Sequence, residues 1–60
     1  MWTVIYISPN EKIATKIKDQ LTAEGFLVKV RESQISNQFE ILVPKGELSE
    51  IREVLAAILS

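Results

Sequence analysis

Hydrophobic residues recur along this chain with two different periods, and the order of those periods predicts its architecture. Residues Trp2 to Ile7 are β-branched or aromatic throughout, which is typical of a strand. Ser8 is suited to cap a following helix, with Pro9 at the first helical position and Glu11 completing a capping box. The pattern therefore predicts a strand that passes directly into a helix.

The first helix is predicted to run to about Glu24. Its apolar residues fall within one arc of the helical wheel: Ile13, Ala14, Ile17 and Leu21. Gly25 follows directly, at the position where a residue with positive φ closes many helices. One side of the helix is therefore apolar and can be buried, and Gly25 marks its C-terminal end.

Two alternating segments come next and predict a pair of strands. Residues 26–31 and 38–43 each alternate between apolar and mainly polar positions, and the polar loop 32–37 between them is long enough for a loose hairpin. Pro44 to Gly46 ends the third strand, and a second helix is predicted from Glu47 to Leu59. Its apolar stripe is Leu48, Ile51, Val54, Leu55, Ile58 and Leu59.

The order β-α-β-β-α predicts one α+β domain covering residues 1–60. The first crossover is expected to be right-handed, and both helices are expected to cover one face of the sheet. Strand three then lies between strands one and two, antiparallel to both. This is a two-layer sandwich with strand order 1-3-2, a ferredoxin-like fold lacking its last strand. The predicted sheet core is Ile5, Ile7, Phe26, Val28, Val30, Phe39, Ile41 and Val43.

This layout resembles a family of short prokaryotic signal-transducing proteins that share a domain of unknown function. The resemblance is carried by the opening strand with Ser8-Pro9-Asn10, by residues 24–28 and 41–44, and by Glu50, Ile51, Val54 and Leu55 in the last helix. It implies the βαββα fold, a bacterial source and a regulatory role. The family has no established active site, so the resemblance implies no catalytic residues.

Composition argues against an enzyme. The chain has no Cys and no His, so it lacks disulfides and the best ligands for transition metals. It also has no Gly-rich phosphate loop and no nucleophile elbow. Glu47, Glu50 and Glu53 recur every third residue, which is more typical of a solvated helix face than of a metal site. We expect no catalytic residues, no metal and no cofactor.

The net charge and the hydropathy of the chain limit its expected cellular location and binding partners. The formal net charge is −1, so the chain lacks the basic excess that nucleic acids and anionic membranes attract. No apolar run is long enough to span a bilayer, and the first residues do not form a signal peptide. The sequence predicts a cytoplasmic protein that contacts no membrane.

Small size makes self-association the expected source of extra stability. A domain of sixty residues buries only about 60% of its unfolded surface, and 47% of these residues are hydrophobic. The first strand is apolar on both faces, carries no charge or proline, and is expected to be a regular edge strand without a bulge. We therefore expect a homodimer formed through that strand, either along its edge or over the face that it presents.

The candidate surface is the sheet face away from the helices. If Ile5 and Ile7 point toward the helices, the opposite face carries Trp2, Val4, Tyr6, Leu27, Lys29, Arg31 and Leu42. Aromatic rings beside Lys and Arg are also found on RNA-binding sheets. Negative net charge and Glu40 on the central strand favour protein contact over nucleic acid.

Two functions follow from these features. The leading hypothesis is a small non-catalytic interaction or regulatory module that acts through protein contacts as a homodimer. The alternative is a sensor domain that binds a small ligand or nucleotide at the open sheet face or at the dimer junction. A third and weaker option is binding of single-stranded nucleic acid at the same sheet face. Pairing between the basic first helix and the acidic second helix is disfavoured, because Glu11 and Asp19 dilute the basic side.

Overall fold

The computed structural model describes all 60 residues and contains three strands and two α-helices in the predicted order. The elements are β1 (Trp2–Ser8), α1 (Glu11–Ala23), β2 (Lys29–Glu32), β3 (Phe39–Pro44), a 3₁₀ turn (Lys45–Glu47) and α2 (Leu48–Leu59). The strands form one antiparallel sheet in the order β1-β3-β2. The α+β class and the 1-3-2 strand order are therefore confirmed.

Both helices pack on the same side of the sheet. The buried cluster joins Ile41 and Val43 of β3 to residues of both helices, namely Ala14, Ile17, Leu21, Ile51 and Leu55. The molecule measures 29 × 25 × 16 Å between Cα extremes. Because a helix packed on a sheet already fills the shortest dimension, no further layer covers the other side of the sheet.

Helix α1 begins two residues later than the capping box predicts. Asn10 is the N-cap, and its Oδ1 accepts a hydrogen bond of 2.9 Å from the Ile13 N–H. Ser8 is instead the last residue of β1, where it is fully buried and its hydroxyl donates to the Asn10 carbonyl at 2.7 Å. The prediction of a Ser8 cap was wrong because Asn10, which is also a favoured capping residue, takes the N-cap position and binds the Ile13 N–H of a helix that starts two residues later.

Helix α1 ends in the way that Gly25 predicts. Gly25 has φ of 94°, and its N–H donates to the Thr22 carbonyl at 3.0 Å. The Phe26 N–H donates to the Leu21 carbonyl at 3.1 Å, which completes a Schellman motif. Leu21 belongs to the buried cluster and Phe26 packs against it, so the cap also sets the direction of the chain into β2.

Strand β2 is shorter than predicted. Only residues 29–32 pair with β3, although Phe26 and Val28 still pack against the core. The hairpin closes where the Ser33 N–H donates to the Gln38 carbonyl at 2.8 Å. Leu48 starts α2 one residue later than predicted, after the 3₁₀ turn.

A bulge in β1 changes which of its residues face the helices. Val4 pairs with Leu42, but the next pair is Tyr6 with Ile41, so Ile5 is the extra residue. Beyond the bulge the two faces of β1 exchange. Tyr6 packs against the core, while Ile7 pairs with Glu40 and is 51% exposed. The prediction that Ile7 is a core residue and Tyr6 lies on the open face was wrong for this reason.

Replacement of Gly25 tests the helix cap. We expect Gly25→Val to lower the free energy of unfolding by about 1 kcal/mol or more, because a β-branched residue resists positive φ. A Cβ at Gly25 would meet nothing within 4 Å, so the loss would come from backbone strain. Gly46→Val is the matched control, since Gly46 also has open space but no positive φ. Equal urea midpoints for wild type and Gly25→Val would contradict this cap.

Substitution of two neighbouring residues tests the bulge. Tyr6→Thr should cost about 2 kcal/mol because it removes core packing, whereas Ile7→Thr should cost about 0.5 kcal/mol because Ile7 is a surface residue. The free energies of unfolding of the two variants are compared by urea denaturation at the same low protein concentration. A regular strand without the bulge would produce the reverse order of stability.

Candidate interaction surface

The sheet presents one face that no helix covers, which we call the open face. It consists of Trp2, Val4, Ile7, Lys29, Arg31, Glu40 and Leu42. Strand pairing places the residues of β1, β2 and β3, because directly paired residues project to the same side of a sheet. Leu27 lies two residues before β2 and is 64% exposed.

The middle row of the open face is apolar at its centre. Leu42 lies on the central strand between Val4 of β1 and Lys29 of β2. Leu42 is only 6% exposed although no helix covers it. Its shielding therefore comes from neighbouring side chains on the same face.

Lys29 supplies part of that shielding. Its ammonium lies 6.0 Å from the centroid of the Trp2 ring. Because Trp2 is on β1 and Lys29 is on β2, the two side chains together span the central strand between them. A cation at this distance from an aromatic ring is weakly attracted to its face, and the rest of Lys29 remains exposed.

The next row is charged at the centre and apolar at one side. Glu40 of β3 lies between Ile7 of β1 and Arg31 of β2. The Arg31 Nη2 is 2.6 Å from Glu40 Oε1, and Nε donates to the same oxygen at 2.8 Å. This is the only salt bridge in the molecule, so the open face carries a neutral ion pair beside the single unpaired charge of Lys29.

The apolar residues of the open face remain accessible. Trp2, Val4 and Ile7 are between 39% and 51% exposed. The other large exposed apolar residues are scattered, with Ile13 on α1, Ile35 in the hairpin loop and Leu59 at the end of α2. Isolated exposed residues are normal for a soluble surface, whereas a group on one flat face marks an interaction surface.

Five of the seven sequence-predicted site residues meet on the open face: Trp2, Val4, Lys29, Arg31 and Leu42. Leu27 is exposed but precedes the paired residues of β2. Tyr6 lies on the opposite face, among the residues that pack against the core. Ile7 belongs to the open face and was missed. The alternation of apolar and polar residues cannot show whether Tyr6 or Ile7 faces the helices, because residues 2–7 are apolar at nearly every position and the pattern does not define a register.

Other parts of the surface offer little for chemistry. The largest concavity, about 520 Å³, is a solvent-open hollow lined by loop residues 32–37, of which only Ile35 is apolar. One carboxylate oxygen of Glu47 is buried without a hydrogen-bond partner. Glu50 and Glu53 are exposed, and no three acidic residues converge as metal ligands would.

Comparison with known proteins yields no match, whether to family models, to curated proteins or to solved structures. Neither helix is long and apolar enough to cross a membrane.

Proposed function

We propose that this chain is a small non-catalytic interaction module that forms a homodimer through its open face. The observation that carries the proposal is the group of exposed apolar residues Trp2, Val4 and Ile7 on the uncovered side of a two-layer fold. The regulatory role rests on the resemblance to short prokaryotic signal-transducing proteins, and the cytoplasmic setting rests on the charge and hydropathy of the sequence.

The amount of exposed surface supports association. The accessible area is 4328 Å², whereas a folded monomer of 6.8 kDa is expected to expose about 3,950 Å². The broad side of the molecule, 29 × 25 Å, is the upper limit of what one copy can contribute, roughly 700 Å² against the roughly 800 Å² per partner of a standard interface. A dimer over this side therefore falls at the small end of specific interfaces.

The charges on the open face suit a second copy of the same face. A two-fold interface places one patch against itself, so its charges must be self-complementary. Arg31 and Glu40 satisfy this condition, because each can bond to its counterpart on the partner as well as within its own chain. Lys29 reaches toward Trp2 with its ammonium accessible and can remain solvated at the rim.

The bulge favours association over the face rather than along the β1 edge. Edge-to-edge pairing of two copies needs a regular ladder, and bulges are a common means of preventing it. The β1 ladder is interrupted between Val4 and Tyr6. The expectation that β1 carries no bulge was wrong, and of the two modes of dimerisation the face is the one we propose.

Charge substitutions on the open face test the proposal. Sedimentation equilibrium of the wild type between about 10 µM and about 1 mM should show a monomer–dimer equilibrium. Val4→Lys and Ile7→Lys should each weaken the dimer about tenfold or more, because an unpaired ammonium would be buried in an apolar contact. Ile35→Lys is the matched control, since it makes the same change at a loop residue outside the open face.

Three outcomes would contradict the proposal. One is a wild-type chain that remains monomeric at about 1 mM, where even weak specific dimers are populated. Another is a dimer that neither open-face substitution affects, which would place the interface elsewhere. A third is a monomer whose melting temperature rises with a nucleotide or metabolite, which would favour the sensor alternative.

A further inference from the structure

The sheet has two free edges, and they differ sharply in character. Strand β2 is short and three of its four residues are charged, namely Lys29, Arg31 and Glu32. Strand β1 has seven residues and no charge. Charged side chains protect an edge from further pairing, so β1 is the edge that can accept another strand.

A crevice lined mainly by apolar residues lies between the first half of β1 and helix α2. It has a volume of about 170 Å³ and is the most enclosed concavity of the molecule. Its lining is Thr3, Val4, Ile5, Leu48, Ile51, Arg52 and Leu55. A chain lying beside β1 would have one of its faces directed toward α2, where alternate apolar side chains could enter this crevice.

The charge at this crevice is positive and unpaired. Arg52 is exposed, and the salt bridge of the open face is the only one in the molecule. A second copy of β1 could not neutralise Arg52, because Trp2–Ser8 contains no acidic residue. The bulge also disfavours a long partner strand, whereas the stretch before it is regular.

We propose that the β1 edge binds a short extended segment of a partner protein, with apolar residues at alternate positions and a carboxylate that pairs with Arg52. The segment adds a fourth strand beside Trp2–Val4, the place that the fourth strand occupies in a complete ferredoxin-like sheet. Main-chain hydrogen bonds supply affinity, and the crevice and Arg52 supply selectivity. Val4 borders both the crevice and the open face, but the proposed binding of a segment along the β1 edge does not require the homodimer.

A fluorescein-labelled peptide of sequence Val-Thr-Val-Thr-Glu tests this proposal by fluorescence anisotropy against the full chain. Both valines and the glutamate share one side of the extended peptide. Arg52→Glu should weaken binding about fivefold or more, because it replaces an attraction by a repulsion. Lys16→Glu makes the same change of charge at an exposed residue of α1 and should leave binding unchanged. A peptide with lysine in place of glutamate should also bind more weakly.

Amide chemical-shift mapping locates the peptide independently of affinity. We expect the largest changes at Thr3, Ile5 and Arg52, with no change in the sedimentation of the chain. Absence of binding at about 1 mM peptide, equal weakening by the two charge substitutions, or changes centred on Ile7 and Glu40 would each overturn the proposal. Failure of the dimer would be seen separately, in sedimentation without peptide.

Discussion

The packing of both helices on the two central side chains Ile41 and Val43 is the interaction on which the rest of the structure depends. Both residues are fully inaccessible, and the buried residues of α1 and α2 meet over them. A chain of sixty residues has only enough helical surface to cover one side of a three-stranded sheet. The same contact that stabilises the fold therefore leaves the other side of β3, with Leu42 and Glu40, to be covered by something else. Solvent, neighbouring side chains or a second molecule can cover this side of β3. The side chains of Lys29 and Trp2 cover only part of it.

One additional residue in β1 determines what the uncovered side contains. Without the bulge, Tyr6 would lie on the open face and Ile7 in the core. With it, Tyr6 packs beneath the helices and Ile7 joins Trp2 and Val4 outside. The bulge also interrupts the edge of β1, which turns a long apolar edge into a short regular stretch beside α2. The bulge therefore affects the surface in two ways, since it selects the composition of the open face and interrupts the regular edge of β1.

Those parts of the fold that obey a strong local rule could be predicted from the sequence. The alternation in residues 38–43, the helical stripe of α1 and the glycine after it each allow one structural solution, and the 1-3-2 order follows from connection rules. The open-face positions of Lys29, Arg31 and Leu42 follow from the same alternation. Residues 2–7 are different, because nearly all are apolar and the pattern is compatible with either register. Neither Tyr6 nor Ile7 could be assigned correctly there. The crevice beside Arg52 could not be predicted from the sequence either, because it depends on how α2 lies against β1.

Two surfaces of different chemistry thus arise from one incomplete sandwich: a broad face with a self-complementary ion pair and a narrow edge with an unpaired arginine. The central claim is that the first of these meets a second copy of itself. An isotope-filtered NOE experiment on an equimolar mixture of labelled and unlabelled chain at about 1 mM tests it most directly, since that concentration populates even weak dimers. Contacts between subunits should join the Trp2 ring to methyl groups of Val4, Ile7 or Leu42. A complete absence of such contacts, or contacts confined to α1 and α2, would contradict the account.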